Sequence, residues 1–289
     1  MNLRDWAILV RLPNLPTPLA DIGLGLCVCL AVGFQPPVGV VLALCLGTLC
    51  LYAGGMILND WCDRSEDAVS RADRPIPAGR IRPSAALMAG CFLLAFGIGM
   101  GLWADLTPGK KALSGPVALC LAGMILFYDA WAKHTPLGPL AMGGCRALNV
   151  LLGATAGTWG PQSDWLVLFL PAFTSGLYIA GVTWFARTEE KSSDPTQLRL
   201  ASLVLCVAWV LATLLPVVMD SPLPQSARVL PAWCLMGLLL WILAPKILLA
   251  NREPVPARVQ AAVGWMIAAY IPLQACQASG LAGAWGLWR

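Results

Sequence analysis

VGVVLALCLGTLCLYAGGMILN, Val38 to Asn59, runs for 22 residues without a charged side chain and leads directly into DWCDRSEDAVSRADRPIPAGRIR, Asp60 to Arg82. The first part is long enough for a helix across the hydrocarbon core, which takes about 20 apolar residues. It shows no alternation of apolar and polar residues, so it reads as a helix and not as a strand of a membrane barrel. The second part reverses the composition: Leu58 to Arg82 holds five carboxylates and five arginines. Ser84 then opens another run that stays uncharged until Asp105. A charge-dense segment is thus held at the water boundary between two spans.

Working outward, the same rhythm covers the whole chain. Of 289 residues 58% are hydrophobic and 12% charged, with a mean hydropathy of +0.72; an ordinary soluble domain carries about 25% charge. The expected fold is an all-α integral membrane protein, a single domain over residues 1–289, with helices bundled around a central cavity that opens to the cytoplasmic side. About nine spans fit, at roughly 17–34, 38–59, 84–104, 112–128, 137–158, 164–185, 199–219, 229–249 and 258–286. Residues 1–16, with Trp6 and RLPNLP, read as an interfacial lead-in ended by Pro13 and Pro16. Arg4, Asp5 and Arg11 lead into a first span expected to stay attached, without a cleavable signal. Of the eleven cysteines, most lie inside apolar runs and read as small buried hydrophobes; with His134 the only histidine, a zinc or haem-type site is not expected.

Loop cations set the orientation. With the N-terminus inside, fourteen cations collect on the cytoplasmic side, among them Arg11, Arg64, Arg71, Arg74, Arg80, Arg82, Lys133, Arg187 and Lys191. Four fall on the other side: Lys110, Lys111, Arg228 and Arg289. The expectation is a multi-pass protein of the bacterial inner membrane, N-terminus in.

The acids after Val38–Asn59 carry the chemistry. At 100° per residue Asp60, Asp63 and Asp67 fall within about 60° of one another on a helix, and Asn59 flanks them. Unpaired like charges at that spacing weaken a helix, so the stripe calls for a cation. Oxygen ligands without sulfur or imidazole favour magnesium or calcium, and magnesium is commonly shared between carboxylates and phosphates. Arg71, Arg74, Arg80 and Arg82 supply the forked donors that phosphate oxygens accept from. A metal-bridged diphosphate accounts for both signs of charge; a positive-inside loop with balancing acids accounts for the arginines alone. Arg146, mid-span, and Asn149 one turn on are candidates for contact with acceptor or diphosphate, or else a buried structural pair. Asp21, early in the first span, follows the same logic.

The pattern NDxxDxxxD at Asn59, Asp60, Asp63 and Asp67, followed by DRPIPAGRI at Asp73 to Ile81, resembles the first aspartate-rich motif of the UbiA superfamily of intramembrane prenyltransferases. Arg11-Leu-Pro-Asn14 is similar to that family's N-terminal RxxN element, and Tyr128 to Lys133 to its tyrosine–lysine stretch after the fourth span. The resemblance implies that Asn59, Asp60, Asp63 and Asp67 hold Mg2+ and that Arg11 and Asn14 contact the prenyl diphosphate. It further makes Lys133 a diphosphate ligand, against a plain topology lysine, and Tyr128 an orienting group, against an interfacial tyrosine. The family's second motif, DxxxD after the sixth span, is altered here: Glu190 and Asp194 keep the spacing as expected metal ligands, while Arg187 and Lys191 are mixed in and are expected to meet the diphosphate. With Arg146-Ala-Leu-Asn149, this variant resembles the EboC-like branch. The implied function is Mg2+-dependent transfer of a prenyl group from its diphosphate to a small cyclic acceptor, aromatic or polyol. The alternatives are a terpene cyclase of the same fold and a small-solute secondary transporter. The expected partners are prenyl diphosphate, acceptor and bilayer, with no nucleic acid.

Overall fold

The computed structural model describes residues 3–108, 112–159, 165–188, 193–218 and 225–282, and among these every regular element is helical. In chain order they are α1 (Leu3–Leu9), a 3-10 turn at Leu12–Asn14, α2 (Pro16–Ala31), α3 (Val38–Cys62), α4 (Arg64–Ser70), α5 (Pro83–Asp105) and α6 (Ser114–Ala130). A second 3-10 turn at Ala132–His134 precedes α7 (Gly138–Ala154), α8 (Trp165–Ala186), α9 (Pro195–Val218), α10 (Gln225–Arg252) and α11 (Pro256–Ala282). Seven of the described helices are long and apolar enough to cross a membrane: α2 with the turn before it, α3, α5, α8, α9, α10 and α11. Two further expected spans fall on α6 and α7, which have 17 residues each. α6 is apolar but short, and α7 carries Arg146 in its middle.

Local chemistry fixes the helix ends. Prolines begin α2 and α5, where the missing N–H is one the helix cannot use anyway. The Asp105 carboxylate caps the start of α6, accepting from the backbone N–H groups of Ser114 at 2.9 Å and Gly115 at 2.8 Å. Gly79 adopts φ +71°, which lets the chain reverse between the charged segment and α5.

Packing arranges the helices in a ring that closes on itself. α3 lies on α5, α5 on α6, α6 on α7, α7 on α8 and α8 on α9; α9 lies on α10, α10 on α11, and α11 on α2. One buried cluster joins α2, α3, α5, α6 and α7 through Ile22, Leu44, Leu94, Leu121 and Leu152. A second joins α8 to α11 through Tyr178, Phe185, Leu205, Leu243 and Tyr270. α2 and α7 cross so closely that a Cβ at Gly153 would stand 2.5 Å from the Ile22 carbonyl oxygen. At Gly143 the added carbon would stand 2.5 Å from the Gly176 carbonyl oxygen on α8. Small residues of this kind let membrane helices reach van der Waals contact, which drives association where lipid removes the hydrophobic driving force. The outer faces are the reverse of a soluble protein's: Phe92 is 66% and Trp241 76% exposed, as a lipid-facing surface requires.

Candidate active site

A cavity of about 300 Å³ opens among α2, α3, α6 and α7. Its lining along α3 runs from Thr48 to Asp63, a rise of roughly 22 Å at helical spacing. The middle is apolar, with Leu51, Met56, Leu121, Ile125 and Met142 on its wall. Both ends are polar.

One end lies where α3 meets the charged connection, and Arg11, Asn59, Asp63, Tyr128, Asp129 and Lys133 line it. α3 stops at Cys62 and α4 starts at Arg64, yet Asp63 between them keeps right-handed helical torsions (φ −82°, ψ −1°). The Asp67 N–H donates to the Asp63 carbonyl at 2.8 Å, so the helical register carries across the break. The four-residue stripe therefore survives, but its side chains divide into two groups. Lys133 Nζ donates to Asp63 Oδ1 at 2.5 Å and to Asn59 Oδ1 at 3.2 Å on the cavity side. Asp60 and Asp67 share Arg74 instead, whose Nη1 lies 3.3 Å from Asp60 Oδ1 and 2.6 Å from Asp67 Oδ2. Arg11 Nη2 stands 3.8 Å from Asp60 Oδ1. Arg11 is held in left-handed backbone (φ 49°), uncommon for a residue with a side chain, just before the 3-10 turn.

At the other end a network is built around Asp21, which is fully buried on α2. Its Oδ2 accepts from Arg146 Nη1 and Asn149 Nδ2, both at 2.9 Å. Its Oδ1 accepts from Tyr270 at 2.6 Å and Gln274 at 2.5 Å. Arg146 Nη2 donates to Thr17 Oγ1 at 3.0 Å, and the guanidinium lies over the Tyr52 and Tyr270 rings at 5.9 and 5.4 Å. Asn149 also donates to the Pro18 carbonyl and accepts from Thr48 at 2.7 Å. Four helices, α2, α3, α7 and α11, are tied together at this point.

On the stripe the side chains stand as two ion-paired groups, because Arg74 reaches back between Asp60 and Asp67. Among the described residues no three His, Cys, Asp or Glu side chains close on one point. Arg74 pairs with the acids, while Arg71 and Asn14 are exposed and neither lines the cavity. Arg146 and Asn149 face the cavity and are brought together with Asp21. Arg187 is exposed, and Asp194 caps α9 by accepting from the Thr196 N–H at 3.0 Å. Glu190 and Lys191 lie outside the described residues. Sequence reasoning missed Asp129, Thr48, Tyr52 and Tyr270. For Asp129 a signal existed: Leu121, Ile125, Tyr128 and Asp129 fall at i, i+4, i+7 and i+8, one helix face.

A model of the UbiA prenyltransferase family matches residues 22–274. Digeranylgeranylglyceryl phosphate synthase of Methanopyrus kandleri is 35% identical over 157 residues, 51% of this chain and 52% of that protein. 4-Hydroxybenzoate octaprenyltransferase of Idiomarina loihiensis is 30% identical over 153 residues, 52% of this chain and 48% of that protein. The chain thus spans about half the length of these curated relatives. A solved UbiA homologue from Archaeoglobus fulgidus, bound to DMAPP and Mg2+, shares the fold with a TM-score of 0.60 at 13% identity, over 94% of this chain and 99% of that one.

Proposed function

We propose, since this chain belongs to the UbiA prenyltransferase family, that it is an intramembrane prenyltransferase which ionises a prenyl diphosphate and transfers the prenyl group to a small polar acceptor. The observation that carries this reading is the cavity itself: an apolar barrel that ends on Asn59, Asp63, Lys133 and Arg11. The diphosphate end of the donor belongs at that charged mouth and the isoprenoid tail along Leu51, Met56, Leu121 and Ile125.

The mouth also suits magnesium. Its donors are hard carboxylate and amide oxygens, and the ion commonly takes one or two carboxylates together with substrate phosphates. When bound, it supplies charge that neutralises the leaving diphosphate. Asn59 and Asp63 would hold it on the cavity side, with Asp60 and Asp67 set behind them by Arg74. Lys133 and Arg11 donate to the oxygens on which charge grows as the allylic C–O bond breaks, the kind of preorganised stabilisation that counts most in a dry site. The apolar wall keeps water from the carbocation. The acceptor then attacks C1 and releases a proton. Thr48, Asn149 and the cavity face of Arg146 offer the opposite polar wall. A cyclic acceptor, aromatic or cyclitol, is the reading to test. We place the nine expected spans in one membrane domain with the N-terminus and the charged mouth on the cytoplasmic side.

The test is purified protein in lipid with labelled prenyl diphosphates of graded length, with and without Mg2+, following diphosphate release. Mg2+-dependent release that falls away in Asp60→Ala/Asp63→Ala supports the reading. Absence of binding and release at every chain length, or full activity in that double variant, sinks it. A lipid product formed without any added acceptor turns the assignment to a cyclase.

A further inference from the structure

Five aspartates are buried among the described residues: Asp5, Asp21, Asp60, Asp67 and Asp129. Four have an arginine partner, Asp5 with Arg80, Asp21 with Arg146, and Asp60 and Asp67 with Arg74. Asp129 is the exception. It is 4% exposed, its Oδ2 is buried without a hydrogen-bond partner, and it lines the cavity at the mouth beside Lys133, Asp63 and Asn59. Lys133, Asp63, Arg11 and Asp60 all stand close enough to act on it electrostatically. Lys133 is already committed to Asp63 and Asn59. The mouth thus sets two carboxylates, Asp63 and Asp129, against one lysine, with Arg11 turned towards Asp60.

A buried carboxylate with neither an ion pair nor hydrogen bonds is costly, and proteins keep such groups where a charged ligand completes them. The ligand that fits is a divalent cation. Two carboxylates and an amide oxygen, with phosphate oxygens and waters for the remaining positions, match the way magnesium is usually held. We infer that Asp129 on α6 is a cation ligand of this mouth, which with Asp63 and Asn59 binds the divalent ion that bridges to the donor diphosphate. This rests on the prenyl diphosphate reading of the same site. It gives the chain a carboxylate from α6 facing the first motif, while Asp194 of the altered second motif caps α9 through one oxygen.

The experiment compares wild type with Asp129→Asn, an isostere, using full-length protein in nanodiscs. Mn2+ binding is followed by electron paramagnetic resonance, with and without a prenyl thiodiphosphate; thermal unfolding is recorded with and without Mg2+. The expected result is at least a tenfold weaker Mn2+ affinity in Asp129→Asn in the presence of the thiodiphosphate. Without metal the variant should melt at the same temperature as wild type or above it, because an unpaired buried charge has been removed. The Mg2+-induced rise in melting temperature should shrink, as mass action requires when affinity falls. Wild-type Mn2+ affinity in the variant overturns the inference. So does lost transfer with intact Mn2+ binding and intact diphosphate release, which places Asp129 on the acceptor. A metal-free variant that melts well below wild type makes Asp129 structural and likewise overturns it. Absence of thiodiphosphate binding and of diphosphate release in the wild type strikes the prenyltransferase reading instead.

Discussion

The two ends of the cavity are built from the same residue types and solve their charge in opposite ways. Around Asp21 both carboxylate oxygens are used, by four donors from α7 and α11, and Arg146 is paired where it stands. Around Asp63 the one lysine serves a carboxylate and an amide, and Asp129 keeps a bare oxygen. The Asp21 carboxylate has both oxygens taken and holds its helices in one arrangement, although Gln274 Oε1 beside it is buried without a hydrogen-bond partner. A carboxylate left incomplete is costly until something binds. The deep end is therefore scaffold with a polar face towards the cavity, and the mouth is the place for chemistry.

The contrast breaks most visibly at Asp21. Asp21→Ala leaves Arg146 buried without its counter-charge and strips acceptors from Asn149, Tyr270 and Gln274. Removing one partner of a buried pair costs about 3–5 kcal/mol. Chemical denaturation in detergent should register a loss of that order; a loss below about 1 kcal/mol would mean that the network is not what ties α2 to α7 and α11. At the mouth the same kind of change should act on rate. Asp63→Ala frees Lys133 and removes a charge-bearing oxygen, with an expected fall in diphosphate release of about 10²–10³-fold, the scale seen when one preorganised electrostatic group is lost. Its melting temperature should stay near wild type. If Asp63→Ala unfolds the protein while Asp21→Ala only slows it, the assignment of the two ends is reversed.

Much of this was legible in sequence, for stated reasons. The uncharged run Val38–Asn59 and its successors fix the helices, since hydrocarbon demands them. The acid stripe at Asp60, Asp63 and Asp67 follows from helical spacing alone. Its division into two groups does not, because it depends on Arg74 folding back over the stripe in the turn after α4, where its N–H donates to the Arg71 carbonyl. Asp129 was only half legible. Helical spacing puts it on the face of Leu121, Ile125 and Tyr128, but the approach of α3 to α6 is what makes that face a cavity wall. The pairing of Arg146 with Asp21, 125 positions apart, is equally invisible until α2 and α7 are seen in contact.

The contact of α7 with α8 gives the next test, of intermediate size. Gly143 on α7 meets Gly176 on α8 with no room for a side chain. Gly143→Leu forces the helices apart, at about 1–3 kcal/mol for overpacking. The displacement would move Arg146, one turn on, and with it the deep end. A melting curve should fall accordingly, and diphosphate release should fall less than in Asp63→Ala, because the mouth lies on α3 and α6. Equal losses in both variants would show that the two ends do not act separately.

The smallest effect is expected where charge meets water outside the cavity. Arg80 Nε donates to Asp5 Oδ1 at 2.8 Å, and its Nη2 to the Asp73 carbonyl at 2.6 Å, but the arginine side chain is 42% exposed. Exposed pairs contribute about 0–1 kcal/mol, weakened further by salt. Arg80→Ala leaves the single buried carboxylate of Asp5 without its arginine, but the pair is open to water on the arginine side, so the variant should lose less stability than Arg74→Ala although both arginines belong to the same connection. Arg74→Ala, by contrast, uncovers two buried carboxylates at once and should cost several times more. Two arginines six positions apart in one loop would then differ only by what they face. Similar losses for both would mean that the connection works as a diffuse cationic patch and that the division of the acid stripe has no energetic weight.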